Sequence, residues 1–263
     1  IFTYKFIKKN KIDIVIKDLY CLNFFWERKI EKNYFLVVID DLRDQKHFCN
    51  VYVNYHFNYF KKKHMKNIET KFCKKLVGPK FAIINDIKLK KKNNNKYPII
   101  FIYMGNADKK MMMLRLIRKL KNKNFNNFKK IFLLNKNHIQ NKNLMKSVKK
   151  VKNIKILKNK IPNYYDLIRL SDYTISSGGV SMYEQISIKS NPIVVPQNSN
   201  QLNIAKSLGK NKIINLMQNI EKDFTEKRIR SFPYKKNKNF STAINNGKYK
   251  VYKNVINCFK NNT

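Results

Sequence analysis

The fold is indicated most directly by the stretch Ser177-Gly178-Gly179-Val180-Ser181-Met182-Tyr183-Glu184. This stretch follows the apolar run 173–176, precedes a helical pattern and holds two of the six glycines of the chain. A strand, a glycine turn and a helix start can receive a phosphate, because the backbone approaches the ligand closely and the first helical N–H groups point at it. We therefore expect Ser177, Gly178, Gly179 and Ser181 to contact a diphosphate. Glu184 would accept hydrogen bonds from a ribose; the alternative is a structural turn followed by an exposed helix carboxylate.

The segment 97–216 around this stretch reads as a doubly wound α/β domain, because short apolar runs alternate with helical patterns. The apolar runs predict strands at 98–104, 130–134, 154–157, 173–176, 192–196 and 213–216. Gly105 follows the first of these strands, and Asn200 and Gln201 follow the strand that ends at 196. Ligand loops of such a sheet lie together at the carboxyl ends of its strands, so we expect these residues at one rim. The alternatives are a packing glycine at 105 and an ordinary helix N-cap at 200–201.

A smaller α/β block precedes this domain, at 1–92. Its apolar runs predict buried parallel strands at 12–16, 35–39 and 51–53. A charged segment at 87–96 is predicted to be a hinge or a surface loop. The remaining segment, 217–263, is polar and helical in parts, and we predict no site in it.

Three carboxylates follow the strands of the smaller block. Asp18 comes after the first strand, and Asp40 and Asp41 come after the second. Carboxylates at the carboxyl ends of parallel strands stand where ligands bind in open α/β sheets, so all three are candidates for the cleft. The alternative is that each caps the helix that follows it.

The composition bounds the class of protein. With 263 residues and 43% hydrophobic side chains, the chain can bury a core in two domains. The formal net charge of +41 favours polyanion binding, but only seven of the 57 basic residues are arginine. Nucleic-acid recognition relies on the bidentate fork of arginine, so we interpret the lysine excess as a composition bias and expect no specific nucleic-acid partner.

The cysteines and the apolar runs indicate the cellular compartment that we expect for this protein. The four cysteines have no metal-ligand spacing, which predicts a reduced, cytoplasmic protein without a metal or a cofactor. No apolar run approaches the roughly 20 residues that span a bilayer, and no signal peptide is recognisable. None of the four histidines stands in a triad or metal spacing, and none is predicted as a catalyst. The chain begins with Ile1 rather than Met, so we expect it to be a fragment.

The segment 98–216 resembles the C-terminal nucleotide-binding domain of GT-B fold glycosyltransferases, including the peptidoglycan N-acetylglucosaminyl transferase family. The resemblance rests on the turn at Gly105, the run 171–184, and the strand 192–196 followed by Asn200-Gln201. It implies a UDP-sugar domain and a GT-B-like α/β fold with two Rossmann-like domains facing across a cleft, the N-terminal one incomplete.

The smaller block is similar to the UDP-sugar hydrolases of pseudaminic acid biosynthesis. In residues 37–50 an Asp-Asp pair precedes His-Phe-Cys-Asn, like the family's His-x-Cys-Asp, and residues 78–83 look like its Gly-Pro-x-Tyr-Ala-Leu stretch. Those enzymes release UDP from UDP-2,4-diacetamido-2,4,6-trideoxy-β-L-altrose with water as the acceptor. The resemblance implies that Asn200 is an active-site asparagine and that Tyr20 is an aromatic residue at the cleft.

This sequence departs from the hydrolase pattern at several positions. Asn85 replaces an arginine, Leu19 stands where some members have a polar residue, and Asn50 replaces an aspartate. The family's Gly-x-Gly-His-x-x-Arg loop, with its catalytic histidine, belongs upstream of Ile1. We therefore expect this chain to bind a UDP-sugar weakly and to turn it over poorly. The alternatives are a GT-B glycosyltransferase, a non-catalytic nucleotide-sugar-binding protein and a basic polyanion-binding module.

Overall fold

The computed structural model describes residues 2–40, 46–56, 68–85, 96–105, 108, 111–158, 161–162, 164–234 and 244–262. Asp41, one of the predicted cleft carboxylates, and most of the segment 87–96 lie outside these residues. The chain forms two compact units. Unit 1 consists of Ile1–Asp86 with Ala243–Thr263, and unit 2 consists of Ile87–Thr242.

Unit 1 contains a parallel four-stranded sheet in the order β1-β2-β3-β4. Its elements are α1 (Phe2–Lys9), β1 (Ile14–Lys17), α2 (Phe24–Glu31), β2 (Phe35–Ile39), β3 (Val51–Asn54) and β4 (Lys74–Val77). The three predicted strands are confirmed to within two residues. The fourth strand has two exposed lysines at its start and one fully buried residue, Leu76, so its apolar signal in the sequence is too short to predict it.

The central strand β2 is buried on both faces of the sheet, because alternate residues of a strand point to opposite sides and both sets are covered. On β2, Phe35 and Val37 belong to one apolar cluster, and Leu36 and Val38 belong to another. A strand covered on both faces reads as a continuous apolar run, which is why β2 is predicted correctly.

The helix Gly247–Lys260 covers one of these faces and lies far along the chain from the strands. Val251 and Val255 on this helix pack in the same cluster as Phe35. Gly247 lies against the backbone of Ala82, and a Cβ at position 247 would overlap the carbonyl oxygen of Ala82 and lie 2.8 Å from its nitrogen. Residues 217–242 belong to unit 2 instead, so the segment predicted as one tail is divided between the two units.

The close approach at Gly247 predicts a specific loss of stability. We expect Gly247→Ala to lower the free energy of unfolding of unit 1 by roughly 1–3 kcal/mol, because the added methyl group displaces the helix from Ala82. Urea unfolding followed by tryptophan fluorescence measures this directly, since the only tryptophan of the chain, Trp26, lies on α2 of unit 1. Lys248→Ala, at the exposed next position, is the control and should change stability by less than about 0.5 kcal/mol. Equal effects of the two substitutions would contradict the prediction.

Unit 2 contains a parallel six-stranded sheet in the order β10-β9-β8-β5-β6-β7. Its strands are β5 (Ile99–Ile102), β6 (Lys129–Leu134), β7 (Ile154–Lys158), β8 (Tyr173–Ser176), β9 (Asn191–Val194) and β10 (Asn215–Leu216). Its helices are α3 (Met112–Leu120), α4 (Lys136–Gln140), α5 (Lys142–Val148), α6 (Tyr164–Leu170), α7 (Val180–Ser187), α8 (Ser199–Lys210), α9 (Ile220–Asp223) and α10 (Glu226–Ser231). All six strands overlap the predicted ones.

The core of unit 2 is divided by the sheet, as expected for a doubly wound fold. Ile100 and Ile102 of β5 pack on one side, and Phe101 between them packs on the other. The strand order reverses between β5 and β8, because β6 and β7 extend the sheet on one side of β5 and β9 and β10 extend it on the other side of β8. Ligands of open α/β sheets bind at such a switch point, outside the carboxyl ends of the strands.

Candidate functional site

Two glycine turns lie side by side at the switch point of unit 2. Gly105 follows β5, Gly178 follows β8, and β5 and β8 are hydrogen-bonded neighbours. A Cβ built on Gly105 would lie 3.8 Å from the Oγ atom of Ser177. The structure therefore brings together two turns whose glycines, Gly105 and Gly178, are 73 residues apart in the sequence.

The two glycines of the pair, Gly178 and Gly179, differ in conformation and in surroundings. Gly178 has φ +95° and is buried, and a Cβ there would lie 3.0 Å from Cγ1 of Val194. Glycine is needed at this position for conformation and for packing. Gly179 has φ −85° and is exposed, and a Cβ there would meet no atom within 4 Å. Gly179 therefore leaves open space in front of α7.

The start of α7 is available to a ligand. Gly179 is its N-cap, and no side chain caps the first turn of this helix. Its first N–H groups and the positive end of its dipole make this a favourable position for an anion. Ser181, in the first turn, is half-buried.

Glu184 lies one turn further along α7, among tyrosines. Its Oε1 accepts a hydrogen bond of 2.7 Å from the hydroxyl of Tyr165. Burial raises the pKa of Glu184 above its ordinary value, although hydrogen bonds from Tyr165 and Tyr164 act in the opposite direction. Burial, and then the charge of Glu184, also raise the pKa of Tyr103. The carboxylate is thus held in one orientation at a half-buried position.

Asn200 and Gln201 lie in the first turn of α8, since this helix begins at Ser199. The cap is Asn198, whose side chain accepts from the Gln201 backbone N–H at 2.9 Å. The side-chain oxygen of Gln201 accepts from the Gln197 backbone N–H at 2.8 Å, so it holds the loop between β9 and α8. Asn200 is half-buried in the first turn of the helix.

Two amide side chains that the sequence analysis does not identify hold the loop after β5. Gln197 is buried, and its Nε2 donates to the carbonyl oxygen of Met104 at 2.9 Å. Asn135 follows β6, and its Nδ2 donates to the carbonyl oxygen of Gly105 at 2.7 Å. Both residues follow the carboxyl end of a strand, and this position is the one feature of the sequence from which their role could have been predicted. They fix the backbone of the Gly105 turn from the loops after β9 and β6, two strands that lie on opposite sides of β5 in the sheet.

Asp108 holds the start of α3. Its carboxylate accepts from the backbone N–H groups of Met112 at 2.6 Å and Met113 at 2.9 Å, as expected for a capping carboxylate. Nε2 of the buried His138 lies 3.3 Å from the same carboxylate. Burial raises the pKa of Asp108, but the hydrogen bonds from His138 and the two N–H groups outweigh it, so the pKa lies below its ordinary value.

The predicted residues of unit 1 differ in exposure. Asp18 and Tyr20 follow β1 and are exposed. Asp40 is buried, and its Oδ2 lies 3.2 Å from the hydroxyl of Tyr52, which donates to it, and 3.3 Å from Nε2 of His47. Asp40 therefore lies inside unit 1 and is engaged by neighbouring side chains.

Asp40 is part of a buried charge cluster formed by Lys17, Glu27, Asp40 and His47. Glu27 contacts Nζ of Lys17 at 2.5 Å and Nδ1 of His47 at 3.0 Å, and its other oxygen accepts from the Phe48 backbone N–H at 3.0 Å. Burial lowers the pKa of His47, but the hydrogen bonds with Asp40 and Glu27 outweigh it and raise the pKa to about 9. Two cations then face two anions, and this pairing offsets the free-energy cost of burying the charges.

The four members of this cluster are distant in sequence, so only the fold shows that they meet. In a chain with 57 basic residues, nothing distinguishes Lys17 from a surface lysine. Among the described residues, no group of three or more His, Cys, Asp or Glu side chains could hold a metal ion. The cluster is an ion-pair network rather than a metal site.

The charge cluster predicts a pH dependence of the stability of unit 1. The pKa of His47 is raised from 6.5 to about 9 on folding, so its stabilisation is complete below pH 6.5 and is lost as the pH rises through 9. We expect the free energy of unfolding to fall by roughly 2–3 kcal/mol across this window. Urea unfolding followed by Trp26 fluorescence between pH 6 and 10 measures the fall.

Two variants isolate the His47 contribution. His47→Gln should lower stability at pH 6 and remove most of the fall. Tyr52→Phe is the matched control, because it removes a hydrogen bond to Asp40 and keeps the charges, so its pH profile should stay parallel to that of the wild type. Parallel profiles for His47→Gln and the wild type would show that His47 does not titrate as stated.

The glycine pair predicts contrasting effects on unit 2. We expect Gly178→Ala to destabilise unit 2 by about 2 kcal/mol, because alanine is strained at φ +95° and its methyl group would press on Val194. Gly179→Ala should change stability by only a few tenths of a kcal/mol. Hydrogen exchange of peptides that cover β8 and β9 reports on unit 2 separately from unit 1. Similar losses of protection in both variants would refute the distinction.

No protein-family model and no curated protein matches the sequence. Solved structures do match the fold. MurG from Acinetobacter baumannii superposes with a TM-score of 0.62 at 14% identity, over 96% of this chain and 77% of that chain. The spinosyn rhamnosyltransferase SpnG, in complex with thymidine diphosphate, superposes with a TM-score of 0.54 at 9% identity, over 97% and 72% of the two chains.

A solved structure that is named for a different reaction matches with a TM-score close to that of SpnG. A putative UDP-N-acetylglucosamine 2-epimerase from Listeria monocytogenes has a TM-score of 0.53 at 9% identity, over 94% of this chain and 75% of that chain. At these identities the likeness establishes the fold. The chain is an α/β protein with parallel sheets that matches the GT-B glycosyltransferase fold. None of the described helices is long and apolar enough to cross a membrane.

Proposed function

We propose that this chain binds a UDP-sugar at the switch point of unit 2 and releases UDP from it. The observation that carries the proposal is the meeting of the Gly105 turn with the Gly178-Gly179 turn in front of a helix start without a capping side chain. That arrangement suits a diphosphate. The likeness to MurG and to SpnG with bound thymidine diphosphate supports a nucleotide-sugar ligand.

The predicted residues of α7 and of the turn before it then have roles in binding. The N–H groups at Gly179 and the start of α7 would hold the diphosphate, with Ser177 and Ser181 at its edge. Glu184 would accept the ribose hydroxyls, because its carboxylate is already fixed by Tyr165. Asp18 and Tyr20, which are exposed after β1 of unit 1, stay candidates for contact with the sugar.

The reaction we propose is hydrolysis. The bond between the anomeric carbon and the diphosphate oxygen breaks, and the leaving UDP is stabilised by the same N–H groups that bind it, typically by a few kcal/mol per donor. Water is the acceptor. Asn200 can orient that water through its amide but cannot act as a base at neutral pH, so we expect slow turnover by the 263-residue chain.

The finer assignment to a UDP-sugar hydrolase of pseudaminic acid biosynthesis rests on the sequence resemblance at 37–50 and 78–83. Within that first segment, Asp40 and His47 are buried in the charge cluster. We propose that these two residues support the fold of unit 1 and do not contact the sugar.

A GT-B glycosyltransferase is the second candidate, because MurG and SpnG match the fold. The two candidates differ in the acceptor. A hydrolase releases UDP from a UDP-sugar in water alone, whereas a transferase needs an added acceptor hydroxyl. Binding of UDP without release in either condition would indicate a non-catalytic nucleotide-sugar-binding protein.

The nucleotide site predicts a defined set of binding defects. We expect Glu184→Gln to weaken UDP binding about tenfold or more, because a hydrogen bond to a charged acceptor contributes roughly 1.5–3 kcal/mol. Gly179→Ala should weaken binding as well, since its methyl group enters the open space before α7. Isothermal titration calorimetry with UDP, with uridine as the control ligand, measures both effects.

The assay must separate specific binding from general attraction to a chain of net charge +41. Salt at about 0.15 M or above screens the exposed charges. Glu221→Gln is the matched control variant, because it removes an exposed carboxylate on α9 that pairs with Arg115 and Lys119. If all variants bind UDP equally, or if binding falls steeply with salt for UDP and heparin alike, the chain is a polyanion binder.

A further inference from the structure

Two cysteines of unit 1 lie in contact. Cys49 lies two residues before β3, and Cys73 lies one residue before β4. These two strands are neighbours in the sheet. Their Sγ atoms are 3.6 Å apart. Cys49 is buried and Cys73 is half-buried, so one sulfur of the pair can be reached from solvent.

The backbone around the pair is fixed by hydrogen bonds. The N–H of Lys74 donates to the carbonyl oxygen of Asn50 at 2.8 Å, and the N–H of Cys49 donates to Oγ1 of Thr70 at 2.9 Å. These bonds hold the chain on both sides of the pair and keep the two sulfurs in contact. An S–S bond is about 2.05 Å long, so the sulfurs need to approach by roughly 1.5 Å, which side-chain rotation in adjacent strands can supply.

The two thiols are not equivalent. The hydrogen bond from Cys49 lowers the pKa of Cys73, and although burial opposes this, the charge of Lys75 adds to it, so the pKa of Cys73 lies below its ordinary value. The same hydrogen bond and then burial raise the pKa of Cys49. Cys73 has the lower pKa and the greater exposure, so it is the thiol that attacks first. Cys49 is the thiol that then attacks the mixed disulfide.

We propose that Cys49 and Cys73 form a reversible intramolecular disulfide, which makes this pair a redox-sensitive modification site. The oxidant is a low-molecular-weight disulfide such as glutathione disulfide. The Cys73 thiolate attacks one of its sulfurs and displaces a glutathione thiolate, which gives a mixed disulfide. The Cys49 thiol transfers its proton to that thiolate and attacks the Cys73 sulfur, which displaces the second glutathione. Two protein thiols are oxidised, and one disulfide is reduced to two thiols.

The bridge has a structural consequence for unit 1. Phe48, adjacent to Cys49, donates its N–H to Glu27, and His47 contacts the same carboxylate. The bridge would therefore lie next to the buried charge cluster. The bridge also closes the loop 49–73, which constrains the unfolded chain. We expect the oxidised protein to unfold at a higher urea concentration than the reduced protein, as reported by Trp26.

The experiment uses the wild-type chain in a series of glutathione disulfide to glutathione ratios without oxygen. Free thiols are then alkylated, and the unreduced protein is digested with trypsin and mapped by mass spectrometry. The expected product is the peptide 47–61 linked to the peptide 72–74. It should disappear on treatment with dithiothreitol.

Matched serine variants identify the partners. Cys21→Ser and Cys258→Ser should keep the link, because neither residue belongs to the pair. Cys49→Ser should leave Cys73 as a glutathione adduct. If Cys49→Ser does not fold, the wild-type map alone decides the question.

Two results would overturn the proposal. One is full alkylation of Cys49 at every ratio at which Cys73 carries glutathione. The other is a link from Cys73 to Cys21 or to another chain in place of Cys49. Neither result depends on UDP binding, so the redox proposal and the proposed function fail separately.

Discussion

The parallel pairing of β5 with β8 is the constraint on which the candidate site depends. It joins the two halves of the sheet in unit 2 and reverses the strand order there. As a consequence, Gly105 and Ser177 lie next to each other at one rim, although the chain between them builds β6, β7, β8 and four helices first. Hydrogen bonds from Gln197 and Asn135 then fix the first of these turns from both sides. The start of α7 is left open by the same arrangement.

The lysines at the surface and the buried lysines differ in their partners. With 57 basic and 16 acidic residues, most lysines have no carboxylate to pair with, and they remain in water. Two described lysines are nevertheless buried. Lys17 is paired with Glu27 inside the charge cluster, whereas Nζ of Lys130 donates to the carbonyl oxygen of Lys152, and burial lowers its pKa to about 8. A buried cation without a carboxylate loses its proton more easily, which is the difference that pairing makes.

The fold and the site carry different amounts of information about function. The GT-B likeness extends to enzymes named as a rhamnosyltransferase and as an epimerase, so the fold alone does not select a reaction. The site is more restrictive, because an open helix start beside a fixed glutamate suits a nucleoside diphosphate. The choice between water and another acceptor depends on the groups around the sugar rather than on those around the diphosphate.

The sequence alone determined nine of the ten described strands and the glycine turns, because a parallel strand buried on both faces reads as a continuous apolar run, and a backbone at φ +95° needs glycine. Local pattern could not show that α8 already includes Asn200, or that Asp40 is engaged by His47 and Tyr52. Tertiary structure alone decided the return of the Gly247–Lys260 helix to unit 1 and the contact of Cys49 with Cys73. These features join residues far apart in the chain, and no periodicity of a single segment encodes such a contact.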